Sequence, residues 1–225
     1  MTPSRTTRIE DAVDNIQSGR HYVLTGGAGS GKTECALRFA EAGLRRGECV
    51  GMVMHATGAE LSAQADYLGI DLERPLAEER LLVLRYRQDF AKRLAHSGAA
   101  EEPLQDLRRL LLEHRPKRIV IDTFAPILDD GSASPVPAES LAEFLALSRC
   151  TALLTYPSEL GASYDRRLEP LLQRAAGVFR LVRDDRGAPR LEIVTLRDRS
   201  TALPEPLDAM TGVLYSGRFA PLEIR

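Results

Sequence analysis

The chain has 225 residues, of which 44% are hydrophobic and 28% are charged. These values lie close to globular averages, so they argue against an intrinsically disordered chain and against a fibrous repeat. The formal net charge of -2 gives no overall basic field that would attract nucleic acid or an anionic membrane. We predict one domain over residues 1–225, with a core at about 18–200 and a hairpin or tail at about 201–225.

The cysteines and the N-terminal sequence indicate the compartment. The cysteines are three in number, widely spaced and without a CxxC pair, which predicts neither a disulfide framework nor a zinc site. No apolar h-region opens the sequence, and no stretch approaches the roughly 18 apolar residues that span a bilayer. We therefore expect a soluble cytoplasmic protein with reduced thiols.

The first half of the chain predicts a strand, a glycine loop, a helix and a second strand. Residues 21–25 form a short β-rich apolar run that stops at two glycines, and residues 32–46 carry apolar side chains at helical spacing. After Gly47, residues 49–54 form another apolar run, which completes a βαβ unit. Further predicted elements are a helix over 59–68, a strand over 80–87 and helices over 89–97 and 102–114.

The second half continues the alternation of strands and helices. Residues 118–122 are an apolar run ended by an acid, as in a parallel strand buried on both faces. The alternation predicts an α/β fold with a mostly parallel sheet flanked by helices and antiparallel strands near the C-terminus. The later predicted elements are a loop over 129–137, a helix from 137 to 147, a strand over 151–155, a helix over 165–175, extended runs over 178–182 and 191–196 joined by a turn at 184–187, and a short hairpin around 213–217.

A glycine-rich motif lies between the first predicted strand and helix. Its sequence, GGAGSGKT, satisfies the phosphate-loop pattern GxxxxGK[ST]. Small residues let successive backbone N–H groups point at a phosphate, and the following helix adds the positive end of its dipole. A simple glycine turn does not explain why lysine and threonine follow in order. We predict that ATP is bound by Gly26, Gly27, Ala28, Gly29, Ser30, Gly31, Lys32 and Thr33, with Lys32 neutralising the β- and γ-phosphates.

A magnesium site is predicted from two residues in these elements. Thr33 would place its hydroxyl on Mg²⁺, and Asp122 ends a buried strand, where an acid can hold the ion directly or through water. The alternative for Asp122 is an aspartate that caps the next turn. The phosphate loop favours the metal-binding role.

Residues 26–54 resemble the KaiC-like branch of the RecA superfamily, in which the phosphate loop leads into a helix that ends in a Gly-basic-basic-Gly-Glu-like turn before strand two. The resemblance implies a RecA-type ATP-binding core, often assembled as rings or dimers with nucleotide at subunit interfaces. It continues over residues 61–72, 118–128, 151–159 and 190–200, so it covers about residues 18–216.

The chain departs from that family where water is activated. In the family, strand two ends in a Glu-Glu pair, and here His55 and Ala56 occupy those positions. In related ATPases an acid follows the metal-binding aspartate directly, and here that neighbour is Thr123. His55 is either a base or contact for the γ-phosphate and water, or a polar residue at a strand end. Carboxylates in displaced or loop segments that could substitute are Glu60, Asp129, Asp130 and Glu159.

A second departure concerns a late strand. The family presents a Lys-x-Arg pair that reaches the neighbouring subunit's γ-phosphate, whereas this chain has Thr195 and Arg197, followed by Arg199. Arg197 would stabilise phosphoryl charge in trans, or it is a solvated cation beside a strand. Residues 85–87, Arg-Tyr-Arg, are either a weak nucleic-acid stripe or snorkelling cations on a partly exposed strand. Nucleic acid is not the expected partner.

We predict an ATP- and Mg²⁺-binding protein in which nucleotide occupancy sets assembly or partner binding, with slow or absent hydrolysis. The expected partner is another copy of the chain or a RecA-like subunit. The alternative is an active ATPase motor, or a recombinase-like handler of single-stranded DNA, that uses a substitute base. A small-molecule kinase is disfavoured because no lid is recognisable. The catalytic candidates are His55 and Arg197.

Overall fold

An eight-stranded sheet forms the centre of the fold. The computed structural model describes residues 5–7, 16–85, 113–124, 138–157, 168–183 and 189–196. The strands are β1 Arg5–Thr7, β2 His21–Gly26, β3 Val50–Met54, β4 Leu81–Arg85, β5 Arg118–Asp122, β6 Thr151–Pro157, β7 Gly177–Arg183 and β8 Pro189–Leu196.

The strand order across the sheet is β1-β8-β7-β2-β6-β5-β3-β4. The six neighbouring strands from β7 to β4 run parallel, and β8 pairs antiparallel with both β7 and β1. This arrangement confirms the predicted α/β fold with its antiparallel strands at the C-terminal side. Because the six strands share one direction, their carboxyl ends form one edge, here named the carboxyl edge. The opposite edge is named the amino edge.

Helices cover both faces of the sheet. Side chains alternate between the faces along each strand, so on β2 Tyr22 and Leu24 join one apolar cluster and Val23 joins the other. The cluster around Tyr22 contains residues of the first two helices, and the cluster around Val23 contains residues of the last two. The helices are α1 Lys32–Arg45, α2 Gly58–Tyr67, α3 Glu73–Ala77, α4 Ala138–Ser148 and α5 Glu169–Arg174.

Two short elements were not predicted from the sequence. A proline at position 75 argues against a helix over residues 73–77. Pro75 lies in the first turn of α3, however, where its missing N–H removes no helical hydrogen bond. Strand β1 has three residues, too few for a recognisable alternation, and pairs with β8 so that Thr6 lies opposite Glu192. The sheet therefore begins before residue 18.

Several predicted elements lie outside the described residues. They are the helix over 89–97, the loop over 129–137, the turn over 184–187 and the hairpin around 213–217. Of the predicted helix over 102–114, only residues 113 and 114 are described, and both are helical. Within the described ranges, no helix combines the length and the apolar character needed to cross a lipid bilayer. Cys35, Cys49 and Cys150 are free thiols.

A buried ion pair joins the turn after α1 to the start of β5. The Arg118 side chain is 2% exposed, and its Nε donates to Glu48 Oε2 at 2.8 Å. Its Nη1 donates to the Phe39 carbonyl oxygen at 3.1 Å, and the guanidinium lies over the Phe39 ring at 4.4 Å from the centroid. These contacts fix α1, which begins at the phosphate loop, against β5, which ends at Asp122.

We expect Arg118→Ala to lower the free energy of unfolding by about 3 kcal/mol, because it leaves Glu48 without its partner and opens space beside Phe39. The matched control is Arg74→Ala, which removes the exposed Arg74–Glu78 pair and should cost below about 1 kcal/mol. Urea unfolding of both variants measures the two costs. Equal small losses would contradict a structural role for the buried pair.

Candidate phosphate-binding site

The loop at residues 26–33 joins β2 to α1 in a conformation that requires glycine. Gly31, the N-cap of α1, has φ 101°, which is a left-handed conformation that glycine adopts without a steric penalty. A Cβ on Gly26 would lie 2.6 Å from Ser30 Oγ and 3.0 Å from the Leu181 carbonyl oxygen. Close packing thus requires a glycine at position 26, and backbone conformation favours one at position 31.

The N-terminus of α1 is open to an anion. Gly31 supplies no side-chain cap to the first turn of α1. Helix α2 differs, because its Thr57 and Glu60 form a capping box that satisfies backbone N–H groups there. The backbone N–H groups of the first turn of α1 therefore have no side-chain cap and can serve a phosphate, which the helix dipole also favours.

Lys32 lies across the loop that precedes it. Its ammonium donates to the carbonyl oxygens of Gly26 at 2.9 Å and Gly27 at 2.7 Å, and it lies 3.4 Å from Ser30 Oγ. Burial lowers the pKa of Lys32, and the Asp122 carboxylate opposes that shift through its negative charge. The loop carbonyls thus hold the positive charge against the loop that precedes it.

Asp122 is 8% exposed at the end of β5, on the carboxyl edge. Its Oδ1 accepts a hydrogen bond from the Thr155 hydroxyl on β6, the strand between β5 and β2. Asp122 ends β5 and the phosphate loop follows β2, and β6 lies between these two parallel strands, so the acid and the loop lie at the same edge of the sheet. The structure therefore brings the predicted metal-binding acid to the phosphate loop.

Two oxygen groups in this site suit a magnesium ion. Thr33 is in the first turn of α1 and is partly exposed, and Asp122 lies at the end of β5 on the carboxyl edge, the same edge as the loop. Mg²⁺ usually takes one or two carboxylates and completes its shell with phosphate oxygens and water, so these donors fit the ion. In the part of the chain that is described, no group of three or more His, Cys, Asp or Glu side chains could hold a metal by itself.

His55 is the first residue after β3, on the carboxyl edge. Its side chain is exposed, and its backbone N–H donates to the Asp122 carbonyl oxygen at 3.1 Å. The next residue, Ala56, is partly exposed and has no ionisable group. The end of β3 is therefore tied to the end of β5, and it presents an imidazole rather than a carboxylate.

Glu60 is committed to a structural role. The Thr57 backbone N–H donates to Glu60 Oε2 at 2.5 Å, and the Glu60 backbone N–H donates to Thr57 Oγ1 at 3.2 Å. These hydrogen bonds lower the pKa of Glu60, so its carboxylate is a weaker base than an ordinary glutamate. The other substitute carboxylates proposed from the sequence, Asp129, Asp130 and Glu159, lie outside the described residues.

The late strand β8 runs away from the phosphate loop. Its last residue, Leu196, pairs with Gly177, which in turn pairs with Tyr22 near the start of β2. Tyr22 and Gly26 are four residues apart on β2, so Leu196 lies about 13 Å along the strand direction from the level of Gly26. Strand β8 thus ends at the amino edge. Arg197 and Arg199 themselves lie outside the described residues.

The basic-aromatic stripe is only partly described. Arg85 ends β4 and is exposed, while Tyr86 and Arg87 lie outside the described residues. Strand β4 is the last strand of the sheet order on its side. An exposed arginine on an outer strand agrees with the interpretation of this residue as a snorkelling cation.

The sequence analysis did not identify Thr155 as a site residue. It is the fifth residue of β6, in an otherwise buried apolar run, and the register places it at the level of Leu24 on β2. The sequence carried one signal for this residue. Thr155 is a hydroxyl residue within a buried apolar run, and it is the fifth residue of β6, just as Asp122 is the fifth residue of β5. A second unpredicted group, Glu34, is 4% exposed in the first turn of α1, where the helix dipole stabilises a negative charge.

Comparisons with known proteins agree with the geometry. The sequence model of a family described as "ATPase: KaiC" matches residues 6–203. The circadian clock oscillator protein KaiC of Picosynechococcus sp. is 33% identical over 106 residues, which are 47% of this chain and 19% of that protein. The protein of the same name from Parathermosynechococcus lividus is 31% identical over 106 residues, 18% of its length.

The chain therefore matches about a fifth of the length of these clock proteins. A solved structure, that of a KaiC-like protein from the hyperthermophilic archaeon Pyrococcus horikoshii OT3, superimposes with a TM-score of 0.65. The match covers 87% of this chain and 90% of the archaeal chain at 23% sequence identity. At that identity the likeness shows a shared fold.

Proposed function

The chain belongs to the KaiC family of ATPases, and from this premise we propose that it binds ATP with Mg²⁺ at residues 26–33 and hydrolyses it slowly or not at all. Nucleotide occupancy would then set its assembly with other copies or with a RecA-like partner subunit. One observation carries the proposal: the glycine loop that holds Lys32 and the end of β3, which presents His55 rather than a carboxylate, lie at the same edge of the sheet.

Phosphate binding rests on three features of the loop. The uncapped first turn of α1 directs backbone N–H groups at an anion, and Gly31 permits the sharp backbone turn into the helix. Lys32 is already held over the loop by the Gly26 and Gly27 carbonyls, so little ordering is needed when a phosphate binds. These features support the β- and γ-phosphates of a nucleotide as the ligand.

Thr33 and Asp122 are the residues that would hold Mg²⁺. When bound, the ion would neutralise part of the charge on the β- and γ-phosphate oxygens. Asp122 is buried, and the hydrogen bond that its carboxylate accepts from Thr155 holds the carboxylate in position. The cofactors we propose are therefore ATP and Mg²⁺.

Slow hydrolysis follows from the residues around the end of β3. The position that carries the family's activating glutamate pair holds His55 and Ala56. Glu60, in the first turn of the following helix, has its carboxylate occupied by the Thr57 backbone and its pKa lowered. An exposed imidazole can serve as a base near neutral pH, so His55 is the one replacement on this strand end that we retain as a catalytic candidate.

The position of β8 supports a role for Arg197 between subunits. The strand ends at the amino edge, so its last residue, Leu196, which precedes this arginine in the sequence, is remote from the phosphate loop of its own chain. In a ring or a head-to-tail dimer, the same arginine would face the nucleotide of a neighbour. We therefore propose that Arg197 contacts a neighbouring γ-phosphate and makes assembly sensitive to whether ATP or ADP is bound.

We expect Arg197→Ala to weaken ATP-dependent self-association while ATP affinity changes little, because a group that acts in trans adds little to its own phosphate site. Sedimentation velocity with Mg-ADP and with a non-hydrolysable ATP analogue measures the association. The wild-type protein should be larger with the analogue than with ADP, and the variant should show less of this difference.

Arg149→Ala is the matched control, since Arg149 is exposed at the amino edge next to β6 and has no proposed role. The control should assemble like the wild type. Identical wild-type mass in the two nucleotides would refute nucleotide-dependent assembly, and unchanged assembly of Arg197→Ala would leave Arg197 as a surface charge.

A further inference from the structure

We propose that Thr155 is a positioning residue that strengthens the preference of the nucleotide site for Mg²⁺ over Ca²⁺, because its hydrogen bond to one oxygen of the Asp122 carboxylate disfavours a two-oxygen contact with a metal. The inference rests on the proposed function, because it concerns the ion that accompanies the nucleotide. It goes further in naming a residue outside the phosphate loop that decides which ion is accepted.

The Thr155 hydroxyl occupies one oxygen of the carboxylate. Thr155 is 0% exposed on β6, and its Oγ1 donates to Asp122 Oδ1. Strand β6 pairs with β5 on one side and β2 on the other, so Thr155 lies between the acid and the strand that carries the phosphate loop. With Oδ1 engaged by the hydroxyl, Oδ2 is the oxygen that an ion or its water would bind more readily.

Thr155 is itself held in place by the chain that follows Asp122. Its carbonyl oxygen accepts from the Thr123 hydroxyl at 2.7 Å and from the Phe124 backbone N–H at 3.1 Å. Phe124 is fully buried and its ring packs against Tyr156 with centroids 5.1 Å apart. These contacts join the ends of β5 and β6 and fix the backbone from which the Thr155 hydroxyl reaches the carboxylate.

A carboxylate with one free oxygen suits the smaller ion. Mg²⁺ requires near-octahedral geometry at about 2.0–2.1 Å and takes carboxylates through one oxygen, whereas Ca²⁺ accepts six to eight ligands and readily takes both oxygens of one carboxylate. The Thr155–Asp122 hydrogen bond therefore orients the acid for Mg²⁺ and disfavours the two-oxygen contact that Ca²⁺ readily makes. Groups that hold a metal ligand in this way typically change metal affinity about 10–100-fold when they are removed.

The test measures ADP binding by calorimetry in titrations of Mg²⁺ and of Ca²⁺. We expect wild type to require less Mg²⁺ than Ca²⁺, and Thr155→Val to reduce that preference about tenfold or more by losing Mg²⁺ support while keeping or gaining Ca²⁺ support. Thr155→Ser retains the hydroxyl and should keep the wild-type preference. Thr151→Val is the matched control, because it removes a buried hydroxyl from the other end of β6, where that hydroxyl accepts a hydrogen bond from the Gly19 backbone N–H.

The possible outcomes separate this inference from the proposed function. If wild type binds ADP with metal and Thr155→Val shows the same Mg²⁺-to-Ca²⁺ preference, the role of Thr155 is overturned while nucleotide binding stands. If wild type binds no nucleotide with either ion, the proposed function fails and the inference fails with it. Thermal unfolding checks that each variant is folded, and Thr155→Cys, a weak donor of similar size, replaces the valine variant if that one does not fold.

Discussion

Replacing Lys32 with alanine is expected to weaken Mg-ATP binding about 100-fold without unfolding the chain. The ammonium is held over the phosphate loop by the Gly26 and Gly27 carbonyls, so its loss removes a charge from the centre of the cradle. A hydrogen bond to a charged group contributes about 1.5–3 kcal/mol, and each 1.4 kcal/mol is a factor of ten in affinity. Calorimetric titration with Mg-ATP measures the effect.

Lys117→Ala is the control for that substitution. Lys117 is exposed just before β5, at the amino edge, and its side chain has no proposed contact with nucleotide. The control should bind Mg-ATP like the wild type, and both variants should unfold at temperatures close to that of the wild type. Equal ATP affinity of Lys32→Ala and wild type would refute the site.

Restoring carboxylates at the end of β3 is expected to raise ATP turnover at least about 100-fold. A general base contributes typically 10²–10⁴-fold to a rate, and the wild-type chain has His55 and Ala56 where the family has a glutamate pair. Wild-type turnover should therefore lie far below the ~1–100 s⁻¹ that is usual for kinases. Phosphate release by wild type and by the double variant His55→Glu, Ala56→Glu measures the difference.

His55→Ala is the companion variant, and it separates two explanations of any wild-type activity. If the imidazole is a substitute base, this variant loses what turnover the wild type has, with ATP affinity unchanged. If wild type turns over several ATP molecules per second and His55→Ala is equally fast, a base elsewhere in the chain is responsible. Addition of single-stranded DNA to the same assay tests the recombinase-like alternative, which requires a faster rate.

The fold could be predicted in large part because its strongest signals are local. The apolar run before the phosphate loop, the helical spacing after Lys32 and the acid-ended run at Asp122 each identify an element by itself, and the structure confirms all three. Strand β1 and helix α3 gave no such signal, because three residues show no period and Pro75 resembles a helix breaker. Their stability comes from pairing and packing with distant segments.

The residues of the candidate site could be proposed from the sequence, but the contacts between them could be predicted only in part. The motif predicted the loop and Asp122 by analogy with how phosphates and magnesium are held, but a linear pattern carries no information on which hydrogen bonds form between strands. Thr155 acquires its role from the register of β6 against β5, which pairs Leu154 with Ile121. The capping box between Thr57 and Glu60, which engages the Glu60 carboxylate, is likewise visible only in the folded chain.

Analysis of the nucleotide that the protein retains tests the account most directly. Protein loaded with Mg-ATP is freed of unbound nucleotide, held for increasing times and then denatured, and the released ATP and ADP are separated and quantified. The account predicts that wild type retains nucleotide that is still mostly ATP after many seconds, and that Lys32→Ala retains little. A wild-type protein that retains no nucleotide, or one whose bound ATP is all ADP within about a second, would contradict it.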